Sequence, residues 1–533
     1  MSRDDSDDER QPPLTAFVNF PSPYTQTLLL RALAATLPAV NITVLPPDEK
    51  NPPRLQWADY DLMSFDKPHA DPSYQISSYI YRKALIRKHQ LHSTVQEYLA
   101  KADHRGEKSV LAAPENGGVG GMPKGWTIDI QFADELDELL LDDLYELAQA
   151  MQLNEGDGDE KRWFILKPGF ADRAQGIRLF STEDELREIF EEFEPESEDE
   201  FEDAEDGEDH DDAALASSTK AVTLNDDDDE DKDEGTAVQT SHLRHFVIQE
   251  YLPRPVLFDL LEHPGSPPRG QKFHLRAYVL VTGSYTVHLS RTMLALFSGA
   301  LYSQPTSSAD GEPIDLRPHL TNTCLQTDGF GAPVPQENLV RLFWDLQGLT
   351  ALSSNDGGYS PKGTVTREWL DATFAKVGEV VAEAVKAGAE CGSFGLQLMP
   401  NAFEIFGVDL ILSHPPSTGG SSTPTTPTPI TAPSTPAVPA PGDAFSATLP
   451  ALAVPDVTLL EFNASPDFHQ SGEVLRPRLL EMFKGVVRLS IAPFFGIDAE
   501  PGNEPVKEGP MKLGEERYDW RLVGQGEIRG NWA

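Results

Sequence analysis

Three short stretches carry side chains that together could handle a polyphosphate. In GQKFHLRAYVL (270–280), Lys272, His274, Arg276 and Tyr278 alternate with Phe273, Leu275, Ala277 and Val279. A strand of that pattern buries its apolar face, so the other face offers two cations and an imidazole to solvent or to an anion. In VTLLEFN (457–463) Glu461 and Asn463 share a face with Leu459, and in FEIFGVDLIL (403–412) Asp409 stands among Phe406, Val408, Leu410 and Ile411. A carboxylate in such surroundings is costly unless it is paired or bound to a metal. Two carboxylates and an amide oxygen on neighbouring strands are the hard donors that Mg²⁺ prefers, with room left for phosphate oxygens. RWFILK ends at Lys167 and runs into a loop with Gly169 and Gly176. Such a loop can set one cation and several backbone N–H groups against phosphates. It is not a Walker loop, because no G-x-x-x-x-G-K-[ST] occurs in the chain. Arg291, after YTVHLS on what should be the neighbouring strand, adds a third cation, and FVIQEYLPRP (246–255) reads as a strand turning into a hinge that offers an apolar wall to a purine.

The elements that must position these residues read as mixed α/β. LTAFVNF (14–20), TQTLLLRALAATL (25–37) and NITVL (41–45) form a strand, helix, strand opening. The stretch 73–99 is mostly helical, residues 133–152 read as an amphipathic helix after the strand WTIDIQF, and Leu370, Phe374, Val377, Val381 and Ala384 recur at steps of three and four along another helix. Between Glu183 and Glu234 stand 27 acidic and 3 basic residues, more than half of the chain's net charge of −43. The core of that stretch, with almost no aromatic or β-branched residues, is expected to be a disordered insertion (191–240). A Pro/Ser/Thr-rich run (414–456) is a second insertion, and because strand-like segments flank it, it reads as an enlarged hairpin connection inside one domain. The 533 residues suffice for two or three lobes: an acidic disordered N-terminus (1–13), an α/β lobe (14–80), a central lobe (81–250), a C-terminal lobe (251–498) and a tail (499–533). The acidic balance opposes a broad footprint for nucleic acid or an anionic membrane, and the two cysteines, Cys324 and Cys391, form no metal or redox motif. No signal-like or 18-residue apolar stretch occurs, so the expectation is a cytoplasmic protein.

Taken in order, YRKALIRK (81–88), FILKPGFADRAQGI (164–177), FVIQEYL (246–252), KFHLRAYVL (272–280), HLTNTCLQ (319–326), FGVDL (406–410) and LLEFNASP (459–466) resemble the tubulin–tyrosine ligase family of the ATP-grasp superfamily, in its fungal branch. The resemblance implies an ATP-grasp fold interrupted by the two insertions, with ATP and Mg²⁺ as cofactors. By the same resemblance Lys83 and Lys167 contact ATP, and Gln249 with Glu250, Tyr251 and Leu252 makes the adenine-side hinge. Lys272 meets the nucleotide phosphates with His274 beside the nucleotide, Asp409, Glu461 and Asn463 bind magnesium, and Arg276 and Arg291, with Asn322 nearby, serve the acceptor carboxylate or the nucleotide. His274 departs from the family, where an aspartate is usual. The implied activity joins an amino acid to a protein tail, tubulin's above all, through an acyl phosphate. The alternative is a ligase-like scaffold associated with RNA-processing granules.

Overall fold

The computed structural model describes residues 13–48, 50–156, 161–169, 171, 174–194, 244–262, 266–307, 314–322, 325–327, 332–355, 358–392, 395–416, 451–499 and 509–526. The expected disorder of residues 1–13, except residue 13 itself, and of most of both insertions, with Cys324, lies outside them.

The N-terminal lobe opens with β1 (Thr15–Asn19), α1 (Pro23–Thr36), β2 (Asn41–Thr43), β3 (Leu55–Ala58) and β4 (Gln75–Ile76), and its strands form a parallel sheet in the order β2-β1-β3-β4. The strand, helix, strand reading is borne out here: Leu28, Leu29, Ala32 and Leu33 of α1 are buried against Ala16 and Val18 of β1. A short helix (Lys83–Ile86) and a long one, α2 (Lys88–His104), follow.

The central lobe is an antiparallel sheet, β5 (Gly125–Asp129), β6 (Phe164–Pro168), β7 (Arg178–Phe180) and β8 (His245–Glu250), in the order β5-β8-β6-β7. The single amphipathic helix expected over 133–152 is broken into a 3₁₀ turn, α3 (Leu136–Leu141) and α4 (Tyr145–Asn154). With α5 (Glu183–Phe193) they cover one face of the sheet. Thr182 and Glu185 form a capping box at the start of α5, and Leu186, Ile189, Phe190 and Phe193 bury its apolar stripe, so order runs a few residues into the expected acidic insertion.

The C-terminal lobe is built on β9 (Phe273–Thr282), β10 (Thr286–Phe297) and β11 (Val340–Leu342), a separate hairpin of β12 (Thr350–Asn355) and β13 (Gly358–Thr364), the helix α6 (Arg367–Cys391), then β14 (Phe403–Ser413), β15 (Asp456–Asn463), α7 (Gly472–Val486), β16 (Glu516–Arg517) and β17 (Trp520–Gln525). Its antiparallel sheet runs β15-β14-β9-β10-β17-β16, with β11 also on β10. β14 and β15 pair directly across the Pro/Ser/Thr-rich run, as an enlarged hairpin requires. Helices α6 and α2 cover one face of this sheet in a shared core containing Leu91, Val95, Phe374, Val381, Val408 and Leu459, while α1 and α7 cover the other, where Trp57 packs edge-on against Phe403 and Phe483. Two boundaries differ from the sequence reading. Helix α2 bridges two lobes, packing on α6 and β15 of the C-terminal lobe and on β5 and β8 of the central one, and part of the expected tail supplies β16 and β17, because Trp520 and Leu522 are apolar enough to complete the edge of β10.

Candidate functional site

A cavity of about 810 Å³ opens where the three lobes meet. Its floor is the polar face of β9. Strand alternation sends Phe273, Leu275, Ala277 and Val279 into the core and turns Lys272, His274 and Arg276 into the cavity, as the sequence pattern requires. The hairpin of β14 and β15 adds the acidic side. Asp409 lies opposite Glu461 in the ladder and opposite Arg276 on its other flank, and Gly407 lies opposite Asn463. Between Asp409 and Leu410 the register shifts, leaving Leu460 as an extra residue on β15. The bulge corrects the simple alternation: Leu459 is buried in the core, whereas Leu460, Glu461 and Asn463 line the cavity. Strands β6 and β8 of the central lobe contribute Ile165, Lys167 and Gln249, and the hinge contributes Glu250, Tyr251 and Leu252, with Asn322 on the rim.

Every cation here has a partner. The Arg276 guanidinium forks onto both Asp409 oxygens, with Nη2 3.0 Å from Oδ2. Asn463 Nδ2 donates to Asp409 Oδ2 at 3.3 Å. Lys88 Nζ lies 3.0 Å from Glu461 Oε2 and donates to the Ala171 carbonyl of the glycine-bearing loop at 3.2 Å. Lys167 donates to Gln249 Oε1 at 2.9 Å, and Lys272 donates to Tyr251 Oη and the His319 carbonyl, each at 2.8 Å. Burial lowers Lys167 to about 8, with Lys88 pushing the same way and Glu461 opposing. Burial, reinforced by Lys167, lowers Lys272 to about 7. At Glu461 burial pushes upward, but Lys88, Lys167 and Arg276 outweigh it and hold the carboxylate ionised. At the far end, Glu404 is raised to about 7 by burial, against the pull of Arg82 and the Tyr79 N–H. His274, buried as well, is lowered by loss of solvation, which Asp409 only partly opposes.

The structure therefore brings together Lys167, Gln249, Glu250, Tyr251, Leu252, Lys272, His274, Arg276, Asn322, Asp409, Glu461 and Asn463. Two expected residues stand elsewhere. Lys83 sits on the short helix and does not line the cavity; Lys88, the first residue of α2, does. Arg291 lies at a break in the β9–β10 register, so alternation does not carry it to the site. It packs over Trp344 and Phe374 at 4.7 and 4.4 Å and pairs with Asp371 and Glu516. Sequence reasoning missed Lys88, although the quoted YRKALIRK contains it: with two Arg-Lys pairs five residues apart, spacing alone cannot say which faces inward. It also missed Arg82, Glu404 and His319, which no local pattern marks.

Among the described residues, no three His, Cys, Asp or Glu side chains are grouped around a point that would hold a metal, and Arg276 and Lys88 pair with Asp409 and Glu461. The donor chemistry nonetheless fits Mg²⁺: two carboxylates on facing strand positions and the Asn463 amide oxygen.

An antiparallel central sheet and a larger antiparallel sheet enclosing a lysine- and carboxylate-lined cleft define an ATP-grasp fold. The C-terminal domain from K. lactis Pby1, described as an ATP-grasp enzyme interacting with the mRNA decapping enzyme Dcp2, superimposes with a TM-score of 0.54 at 23% identity, covering 97% of this chain and 100% of that one. The model of the tubulin-tyrosine ligase family matches residues 129–498, and the chain belongs to that family. A probable tubulin–tyrosine ligase of Schizosaccharomyces pombe is 30% identical over 484 residues, covering 90% of this chain and 92% of that protein. The probable tubulin–tyrosine ligase PBY1 of Saccharomyces cerevisiae is 29% identical over 89% of this chain but only 51% of its own length, so the chain spans about half of that relative.

Proposed function

We propose that this protein is an ATP-dependent carboxylate–amine ligase acting on a protein tail. The observation that carries the reading is the convergence of Lys88, Lys167 and Lys272 with Asp409, Glu461 and Asn463 in one cleft between two lobes. In the reaction a substrate carboxylate oxygen attacks the γ-phosphorus of ATP and ADP leaves; an amine nitrogen then attacks the acyl carbon, phosphate leaves and the amine loses a proton. Lys167 and Lys272 hold the phosphate oxygens, each already tethered so that little ordering remains to be done on binding. Gln249, Tyr251 and Leu252 wall the base. Asp409, Glu461 and Asn463 would hold Mg²⁺, which when bound would supply charge stabilisation to the phosphoryl group. Lys88, beside Glu461 and the glycine-bearing loop, is placed to meet phosphate oxygens as well. The relatives' names, probable tubulin–tyrosine ligases, support tubulin as the acceptor and tyrosine as the amino acid added; glutamate or glycine is the alternative amino acid.

Calorimetry with Mg-ATP and an ADP-release assay on tail peptides with amino acids test this. Wild-type protein binds the nucleotide and releases ADP, and Glu461→Gln weakens binding by about tenfold or more, the scale set by removing one charged partner. Absence of binding by the wild type, or an unchanged Glu461→Gln, overturns the reading. A second reading, a scaffold for RNA-processing granules, is favoured by the neutralisation of both carboxylates by Arg276 and Lys88. It predicts association with a decapping enzyme, the kind of partner stated for the K. lactis domain, that Glu461→Gln leaves intact in a protein releasing no ADP.

A further inference from the structure

The ring of His274 has one nitrogen paired and the other unpaired. It is 6% exposed, and its Nδ1 lies 2.6 Å from Thr321 Oγ1. Its Nε2, also buried, has no hydrogen-bond partner among the described residues. A buried polar atom without a partner is costly, and such atoms concentrate where a ligand completes them. With the Nδ1 proton donated to Thr321, the Nε2 lone pair is left free, the tautomer that metal-binding histidines adopt when a neighbour holds the other nitrogen. Asp409 Oδ1 lies 3.7 Å from this Nε2, too far for a hydrogen bond. It is a span that two donors can have when each is bonded to one ion at about 2.0 to 2.2 Å.

We infer, resting on the ligase reading of this cleft, that His274 Nε2 is a nitrogen ligand to the ion held by Asp409, and that the site selects a first-row transition ion over Mg²⁺. Mg²⁺ gains little from an imidazole, whereas nitrogen donors raise affinity for the later divalent ions. Arg276 holds Asp409 until the ion displaces it, so the ion enters by exchanging one cation for another and leaves the local charge nearly balanced.

The experiment uses the full chain with Mn²⁺ and a non-hydrolysable ATP analogue. Pulsed electron paramagnetic resonance reads imidazole nitrogen coupled to bound Mn²⁺, and competition with Mg²⁺ reads preference. Wild type shows the nitrogen coupling and prefers Mn²⁺ by about tenfold or more. His274→Leu and His274→Asp lose the coupling while still binding Mn²⁺ through oxygens, and the preference falls several-fold. Thr321→Val, which frees the ring without removing it, weakens Mn²⁺ by about tenfold. Bound Mn²⁺ without nitrogen coupling in the wild type overturns the inference and leaves the ligase reading standing. Failure of Mn²⁺ and Mg²⁺ alike to bind with nucleotide overturns both.

Discussion

Lys167 and Lys272 are lysines drawn out of water onto protein acceptors, and the chemistry of the cleft turns on the proton each can lose. With values near 8 and 7, both are partly neutral at pH 8. A polyphosphate beside them favours the ammonium form and raises both values. Nucleotide binding at pH 8 should therefore take up protons, and the uptake should vanish by pH 6, where both lysines already carry their charge. Calorimetry in buffers of different ionisation enthalpy reads this directly; release, or no change, at pH 8 would contradict the assignment. Lys272→Met should remove most of the uptake and weaken nucleotide by about tenfold or more, in keeping with the loss of a buried charge partner. At this scale the sequence was informative wherever alternation governs, as for Lys272, His274 and Arg276. It was silent where a side chain's direction depends on a helix start, as in choosing Lys88 over Lys83.

The elements explain why the acidic side of the site faces the basic side. β14 lies between β9 and β15, so Asp409 has Arg276 on one flank and Glu461 on the other. The bulge at Leu460 lets β15 send both Leu459 into the core and Glu461 into the cleft. Gly407 keeps the centre of this ladder open: a Cβ there would come within 3.0 Å of Pro466 Cβ and 3.2 Å of Arg276 Cδ. Gly407→Ala should displace Arg276 from Asp409 and destabilise the fold by about 1 to 3 kcal/mol, as overpacking does. Its expected signature is a lowered denaturation midpoint together with weakened nucleotide binding; a variant with wild-type binding and stability would show that the ladder yields more easily than its contacts imply. The bulge was illegible beforehand, since strict period-two reading paired Leu459 with Glu461 and one extra residue reverses that parity.

Across the whole molecule, charge and chain order mislead in instructive ways. The described cavity lining carries five Lys or Arg and six Asp or Glu side chains, so the apparent cationic face of β9 is a nearly balanced site once β14 and β15 dock on it. The C-terminal residues, far from the motifs in sequence, close the large sheet: Trp520 is fully buried, donates from Nε1 to the Met482 carbonyl at 3.0 Å, and lies on the strand that pairs with β10. Trp520→Ala should cost about 3 to 5 kcal/mol. Thermal or denaturant unfolding followed by two probes checks this, and a loss below about 1 kcal/mol would mean that β17 is an accessory edge. The sequence by itself determined the α/β character, the polar face of β9, the hairpin across the Pro/Ser/Thr-rich run and most members of the site, because these depend on local periodicity and on short motifs. Only the tertiary structure decided that Arg291 leaves the cleft, that Lys88 enters it, that helix α2 bridges the central and C-terminal lobes and that His274 presents a bare nitrogen to Asp409. Each of those depends on which surfaces meet, and that is set by packing between segments hundreds of residues apart.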